Sequence, residues 1–182
     1  MWLPVVCSLD TVMADHRTPP DPTSFPADEP LATQVPFLLR YATLAPSSHN
    51  SQPWAFEVAA QAVRVYADES RRLDVADPDG RELLLSVGCA LENLVVAARR
   101  FGLEPTVEYG PFEESPPTTR DHLRHVATVR FESPASADEE AEPELFEAIG
   151  ARQTNHRPFD DRSVPESLLE RFEEYAAASG LG

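Results

Sequence analysis

A chain of 182 residues with 42% apolar residues is long enough for one domain with a buried core. Its 31 acidic residues face 15 basic ones, all of them arginine, for a formal net charge of −16, and such a surface lacks the basic patch that nucleic acid requires. No apolar run approaches the roughly 20 residues of a membrane helix, so the expected partner is a small molecule, with neither nucleic acid nor membrane.

The start, Met1-Trp2-Leu3-Pro4-Val5-Val6-Cys7, is apolar but short. It lacks the basic leader and cleavage site of a secretory signal. The chain therefore reads as cytoplasmic, with Met13 as an alternative start. Residues 14–30 are rich in Pro, Asp and Thr, so residues 1–30 read as a disordered tail. Thr33 then reads as the cap of a helix over 34–45, where Phe37, Leu38, Tyr41, Leu44 and Ala45 recur at helical spacing. Pro46 stops that helix. Trp54 to Val58 and Val63 to Ala67 read as the strands of a hairpin.

Asp77-Pro78 predicts the start of the strongest helix, with Asp as cap and Pro at the first helical position. Leu84, Val87, Leu91, Leu94, Val95 and Ala98 trace its apolar stripe, and Gly102 is its stop. Cys89 falls within this pattern and reads as a small core residue. Cys7 and Cys89 make neither a disulfide framework nor a zinc site, and the histidines lack metal-ligand spacing. His122 and His125 straddle the entrance of a strand. Strands are expected at 106–109 and 125–132, separated by a loop over 111–119. The acidic, Pro/Ala-rich residues 133–143 read as a linker. A short helix near 143–149 and a polar stretch 152–162 follow. Ser163 to Glu166 reads as a capping box for a last helix. Its apolar face is Leu168, Leu169, Phe172, Tyr175 and Ala176.

Two segments carry the polar chemistry. Ala45-Pro46-Ser47-Ser48-His49-Asn50-Ser51-Gln52-Pro53-Trp54 packs hydroxyls, an imidazole and amides ahead of an aromatic. Such a loop offers donors and acceptors without fixed charge, as a planar heterocycle with polar edges requires. By composition alone it also reads as an ordinary turn. Arg152-Gln153-Thr154-Asn155-His156-Arg157 holds two guanidinium groups and a hydroxyl, suited to a phosphate or to a solvated surface loop. Neither a dinucleotide fingerprint nor a phosphate loop appears, and no serine sits in a nucleophile elbow.

The loop over 45–54 resembles the signature of nitroreductase-type flavin mononucleotide (FMN) proteins. The helix before that loop, and the run Ser86-Val87-Gly88-Cys89-Ala90-Leu91-Glu92-Asn93-Leu94 after it, also resemble that family. Asp77-Pro78-Asp79-Gly80-Arg81-Glu82-Leu83 resembles its tandem-repeat, Acg-like branch. The resemblance implies an α+β fold with a mixed sheet flanked by helices. It implies a first repeat over 31–132 and an incomplete second repeat over 144–182. A second repeat cut short would leave the apolar face of the 78–101 helix exposed. Pro46, Ser47, Ser48, Asn50 and Gln52 would contact the flavin, and Arg152, Thr154 and Arg157 its phosphate end, with His156 where a second Arg is usual. It further implies an FMN-dependent oxidoreductase using NAD(P)H on nitro or quinone-like acceptors, with no general acid or base identifiable. An FMN-storing protein and an inactive remnant are the alternatives, and a homodimer is the partner the missing half would call for. The acidity fits either solubility through self-repulsion or halophilic adaptation.

Overall fold

The computed structural model describes residues 18–59, 62–110, 121–132, 143–155, 157, 158 and 160–178. Their elements are α1 (Leu31–Ala42), β1 (Trp54–Ala59), β2 (Ala62–Asp68), α2 (Arg81–Arg100), β3 (Glu104–Tyr109), β4 (Leu123–Glu132), α3 (Pro143–Ala151) and α4 (Glu166–Ala178). They fall into two units, Met1–Arg152 and Gln153–Gly182. The fold is α+β, as expected. The sheet has the order β1-β2-β4-β3 and is antiparallel at every pairing, where a mixed sheet was expected. The reason is topological. β2 and β3, joined through α2, point the same way, but β4 lies between them and pairs antiparallel with both. β3 is thus an edge strand, where Pro105 removes no needed ladder bond.

Period-two alternation builds the core face. Trp54, Phe56 and Val58 from β1, Val63, Val65 and Ala67 from β2, and Ala127, Val129 and Phe131 from β4 are buried in one cluster. Residues of α1 and α2 complete it, Leu38 and Leu94 among the most deeply buried. Each buried Val, Leu or Phe side chain contributes about 1.5–3 kcal/mol of hydrophobic stabilisation, and each alanine less.

Residues 18–30, expected to be loose, instead pack onto this core. The Tyr41 hydroxyl donates to the Pro20 carbonyl at 2.7 Å. Phe25 stacks on Phe101 at 4.3 Å and meets Phe37 edge-on at 5.5 Å. A proline-rich segment loses little backbone entropy on ordering, so a few aromatic contacts suffice. Residues 1–17 lie outside the described part, as do the 111–119 loop and most of the acidic linker.

α1 starts three residues before the expected position. Thr33 does not cap it; Thr33 N–H and Gln34 N–H both donate to Pro30 O, at 2.7 and 3.2 Å. The Gln34 amide instead ties the preceding turn through Ala27 O and Glu29 O. This start places Pro36 in the second turn of the helix, where a start at 34 would have left it in the first turn, which tolerates proline.

α2 starts later than expected. Pro78 lies outside it, because Gly80 adopts a left-handed conformation (φ 68°) just before Arg81. Asp77 still caps the helix from upstream, accepting from Glu82 N–H at 3.1 Å and Leu83 N–H at 2.9 Å. Desolvation pushes its pKa up, but the Leu83, Glu82 and Arg81 amides and the Arg72 charge outweigh it, so it titrates below 3.8. A lowered folded pKa means that this cap stabilises fully above the ordinary value and is lost as pH falls through the lowered one. Asp77→Ala is therefore expected to lower the thermal midpoint by several degrees at neutral pH and to lose most of that difference in strong acid. Parallel melting curves check it.

Gly102 stops α2 as expected. With φ 75° it lets Leu103 N–H reach Ala98 O and Gly102 N–H reach Arg99 O, both at 3.0 Å. The predicted stripe is buried from Val87 to Ala98, so the expected exposure of this helix face is confined to other positions. Leu85 is exposed, and so is Cys89, which corrects its reading as a core residue. Cys89 stands about 200° around the helix from both Val87 and Leu91, at 100° per residue.

α3, expected beyond the linker with the second repeat, falls in the first unit. Phe146 and Ile149 are buried there, and Phe146 packs 4.9 Å from Tyr41. In the second unit α4 begins at Glu166, and Leu168 and Leu169 N–H groups donate to Pro165 O. The expected Ser163 box is therefore not its start. Leu168, Leu169, Phe172 and Tyr175 are exposed. No helix of the described residues is long and apolar enough to cross a membrane.

Candidate functional site

The polar loop begins where α1 unwinds. Leu44 N–H and Ala45 N–H fold back on Tyr41 O and Ala42 O, and the Asn93 amide of α2 donates to Tyr41 O at 3.2 Å. Pro46 then turns the chain away. Ser48–Asn50 makes a single 3-10 turn, and His49, Asn50 and Gln52 have φ of 52°, 55° and 49°. Left-handed conformations at non-glycine residues cost on the order of 1 kcal/mol each and persist only where the surroundings impose them.

Those surroundings are specific. Within the loop, Gln52 N–H donates to Ser47 Oγ at 2.9 Å and Asn50 N–H to Ser47 O at 2.9 Å. From the turn after β2, Arg71 Nη1 donates to Ser51 O at 3.1 Å and Gln52 O at 3.3 Å. Asp68 orients Arg71, with Oδ2 3.3 Å from its Nε, while its other oxygen accepts from Ser70 N–H. Asp68 N–H donates to Pro53 O at 2.9 Å, and Pro53 is fully buried. From α2, Glu82 Oε2 accepts from Ser48 Oγ at 2.5 Å. Ser47, Ser48 and Gln52 are half-buried, and His49 and Asn50 are exposed. A loop held this firmly from below keeps its polar side chains in place for a partner.

The other segment divides. Arg152 closes α3, its N–H bonded to Ala148 O, and its Nη2 donates to Leu44 O at 3.3 Å. A guanidinium 108 positions away in sequence thus sits at the root of the loop. Thr154 and Arg157 belong to the second unit, where both are exposed and Arg157 N–H donates to Asn155 Oδ1. His156 lies outside the described residues. The structure therefore gathers Pro46, Ser47, Ser48, Asn50, Gln52 and Arg152 within one unit. Sequence reading passed over Arg71 and Glu82. Asp68-x-Ser70 carried the one local signal, an Asx turn that aims the residue following it.

A second polar group lies on the sheet. Glu57 Oε2 accepts from Arg64 Nη1 at 3.0 Å and from the Tyr66 hydroxyl at 2.9 Å. Desolvation first, then Glu57, push the Tyr66 pKa up to about 12. A register shift between Val65 and Tyr66 sets Tyr66 opposite His125, with rings 5.5 Å apart. Desolvation lowers the His125 pKa. As expected, His122 precedes β4 while His125 lies within it. Among the described residues no group of three or more His, Cys, Asp or Glu is gathered as a metal ion requires.

Comparison with known proteins gives relatives at the sequence level. The chain is 35% identical over 159 residues to "Putative NAD(P)H nitroreductase Rv3131" of Mycobacterium tuberculosis, covering 87% of this chain and 42% of that protein. It is 35% identical over 134 residues to "Putative NAD(P)H nitroreductase acg" of the same organism, covering 72% and 38%. The chain thus spans less than half the length of these relatives. Among solved structures, "a putative nitroreductase in complex with fmn" of Desulfovibrio desulfuricans is 18% identical with a TM-score of 0.46, over 73% of this chain and 89% of that one. No family model matches the chain.

Proposed function

Taking as premise that the chain is a nitroreductase-like protein related to acg, we propose that it is an FMN-dependent oxidoreductase. Its electrons would come from NAD(P)H and pass to nitro or quinone-like acceptors. The observation that carries this reading is the loop over 46–54, pinned in a left-handed conformation with Arg152 at its root. Half-exposed hydroxyls and amides suit the polar edge of an isoalloxazine, and Arg152 suits the phosphate. Thr154 and Arg157, in the second unit, are likewise proposed as phosphate contacts on the strength of the family resemblance alone. When bound, the flavin supplies reversible hydride acceptance, and the chain binds and orients it.

The test is to load the chain with FMN, remove oxygen, and add NADH or NADPH. Bleaching of the visible flavin band is expected, with return of colour on adding a nitroarene. Flavin that binds but never bleaches would replace the oxidoreductase reading with a storing one. Arg152→Ala is expected to weaken FMN about tenfold or more, the worth of one charge-assisted hydrogen bond. Riboflavin, which has no phosphate, should be little affected. Equal losses for both ligands would remove the phosphate role of Arg152.

A further inference from the structure

Glu82 belongs to the first turn of α2 and reaches the loop from outside it. Ser48 Oγ donates to its Oε2 across 34 positions of sequence. A carboxylate only accepts. The single hydroxyl proton of Ser48 is therefore committed to Glu82, and its oxygen keeps only lone pairs for a ligand. Ser47 is held in the opposite sense. Its Oγ accepts from Gln52 N–H, a bond that does not use its own proton. The two hydroxyls thus meet a ligand with different polarity, one set by a side chain and one by a backbone amide.

We propose that Glu82 fixes Ser48 as a hydrogen-bond acceptor, so that the loop selects a ligand carrying a ring N–H. On the flavin reading above, on which this rests, that group is the imide N–H of the oxidised isoalloxazine. The oxidised ring has one N–H, at N3, set between two carbonyls. An acceptor from Ser48 answers the N–H, and a donor from Ser47 answers a carbonyl. Glu82 touches no ligand in this scheme. It is a positioning residue that acts through Ser48, and it would explain why an acidic side chain is used beside a site for an anionic cofactor.

The test compares FMN with N3-methyl-FMN by quenching of flavin fluorescence, in the parent chain and in Glu82→Ala, Glu82→Gln and Ser48→Ala. The parent is expected to prefer FMN about tenfold, roughly the worth of one hydrogen bond. Ser48→Ala should abolish the preference. Glu82→Ala should cut it to about threefold or less, because the hydroxyl is then free to turn and donate. Glu82→Gln, whose amide oxygen still accepts from Ser48, should restore most of it. Because each variant is read as a ratio of two ligands, general loosening of the loop cancels. A parent without preference, or a Glu82→Ala variant that keeps the full parental preference, would overturn the proposal while leaving the flavin reading intact. A parent that takes up neither ligand would overturn both.

Discussion

Arg71→Ala is expected to weaken FMN binding by about tenfold or more while moving the thermal midpoint little, since hydrogen bonds from a charged donor contribute about 1.5–3 kcal/mol. The guanidinium holds the carbonyls of Ser51 and Gln52 through one nitrogen and faces Asp68 through another. Without it the loop loses the partner that turns both carbonyls inward. His49, Asn50 and Gln52 can then relax from their left-handed conformations. The loop is half-exposed, so water takes over the freed carbonyls and the core is untouched. The cost falls on binding, because the ligand must then order the loop itself. Arg71→Lys should behave more like alanine than like the parent. One compact ammonium cannot pair with Asp68 and also reach two carbonyls. Added guanidinium ion should restore part of the affinity of Arg71→Ala and none of that of Arg71→Lys. Flavin titrations with and without guanidinium check this, and unchanged affinity in Arg71→Ala would show that the loop keeps its shape unaided.

Tyr41→Ala is expected to carry the largest stability loss, about 3–5 kcal/mol, the range for removing a buried aromatic. Tyr41 is 2% exposed. Its ring lies 4.9 Å from Phe146, 5.8 Å from Phe37 and 5.9 Å from Phe101, and so joins α1, α3 and the end of α2. Its hydroxyl also holds Pro20. Against a typical domain stability of about 5–15 kcal/mol, this loss leaves little margin. Tyr41→Phe separates the two parts. It keeps the packing and leaves the Pro20 carbonyl unpartnered, for an expected loss of about 1 kcal/mol. Denaturant unfolding of both variants checks the ordering, and near-equal losses would place the energy in the hydroxyl rather than the ring.

Much of the fold was legible because its signals are local. Alternation in Trp54 to Val58 and Val63 to Ala67 gave the hairpin, and the stripe from Val87 to Ala98 gave the buried face of α2. What local pattern missed was decided by distant contacts. Phe25 and Pro20 read as tail because nothing near them in sequence shows that Phe101 and Tyr41 await them. Gly80 displaced the start of α2 because its left-handed conformation uses a freedom that Asp77-Pro78 does not reveal. Cys89 falls within an apolar run, yet helical geometry alone places it opposite Val87 and Leu91 and so at the surface. At the site, the loop was legible as a run of residue types. Arg71, Glu82 and Arg152 meet it from 19 to 108 positions away, and only the folded chain brings them there. The resemblance named Arg152, but not that it would reach the carbonyl of Leu44.

The most direct test of a flavin-binding loop over 46–54 is a titration of FMN into the purified chain at high ionic strength, where the net charge of −16 repels the phosphate least. Flavin fluorescence should be quenched to saturation in the parent, with a clear loss of affinity in Ser47→Ala, which removes the hydroxyl that anchors Gln52. Fluorescence that stays unquenched at every concentration, or quenching that is identical in Ser47→Ala, would contradict it.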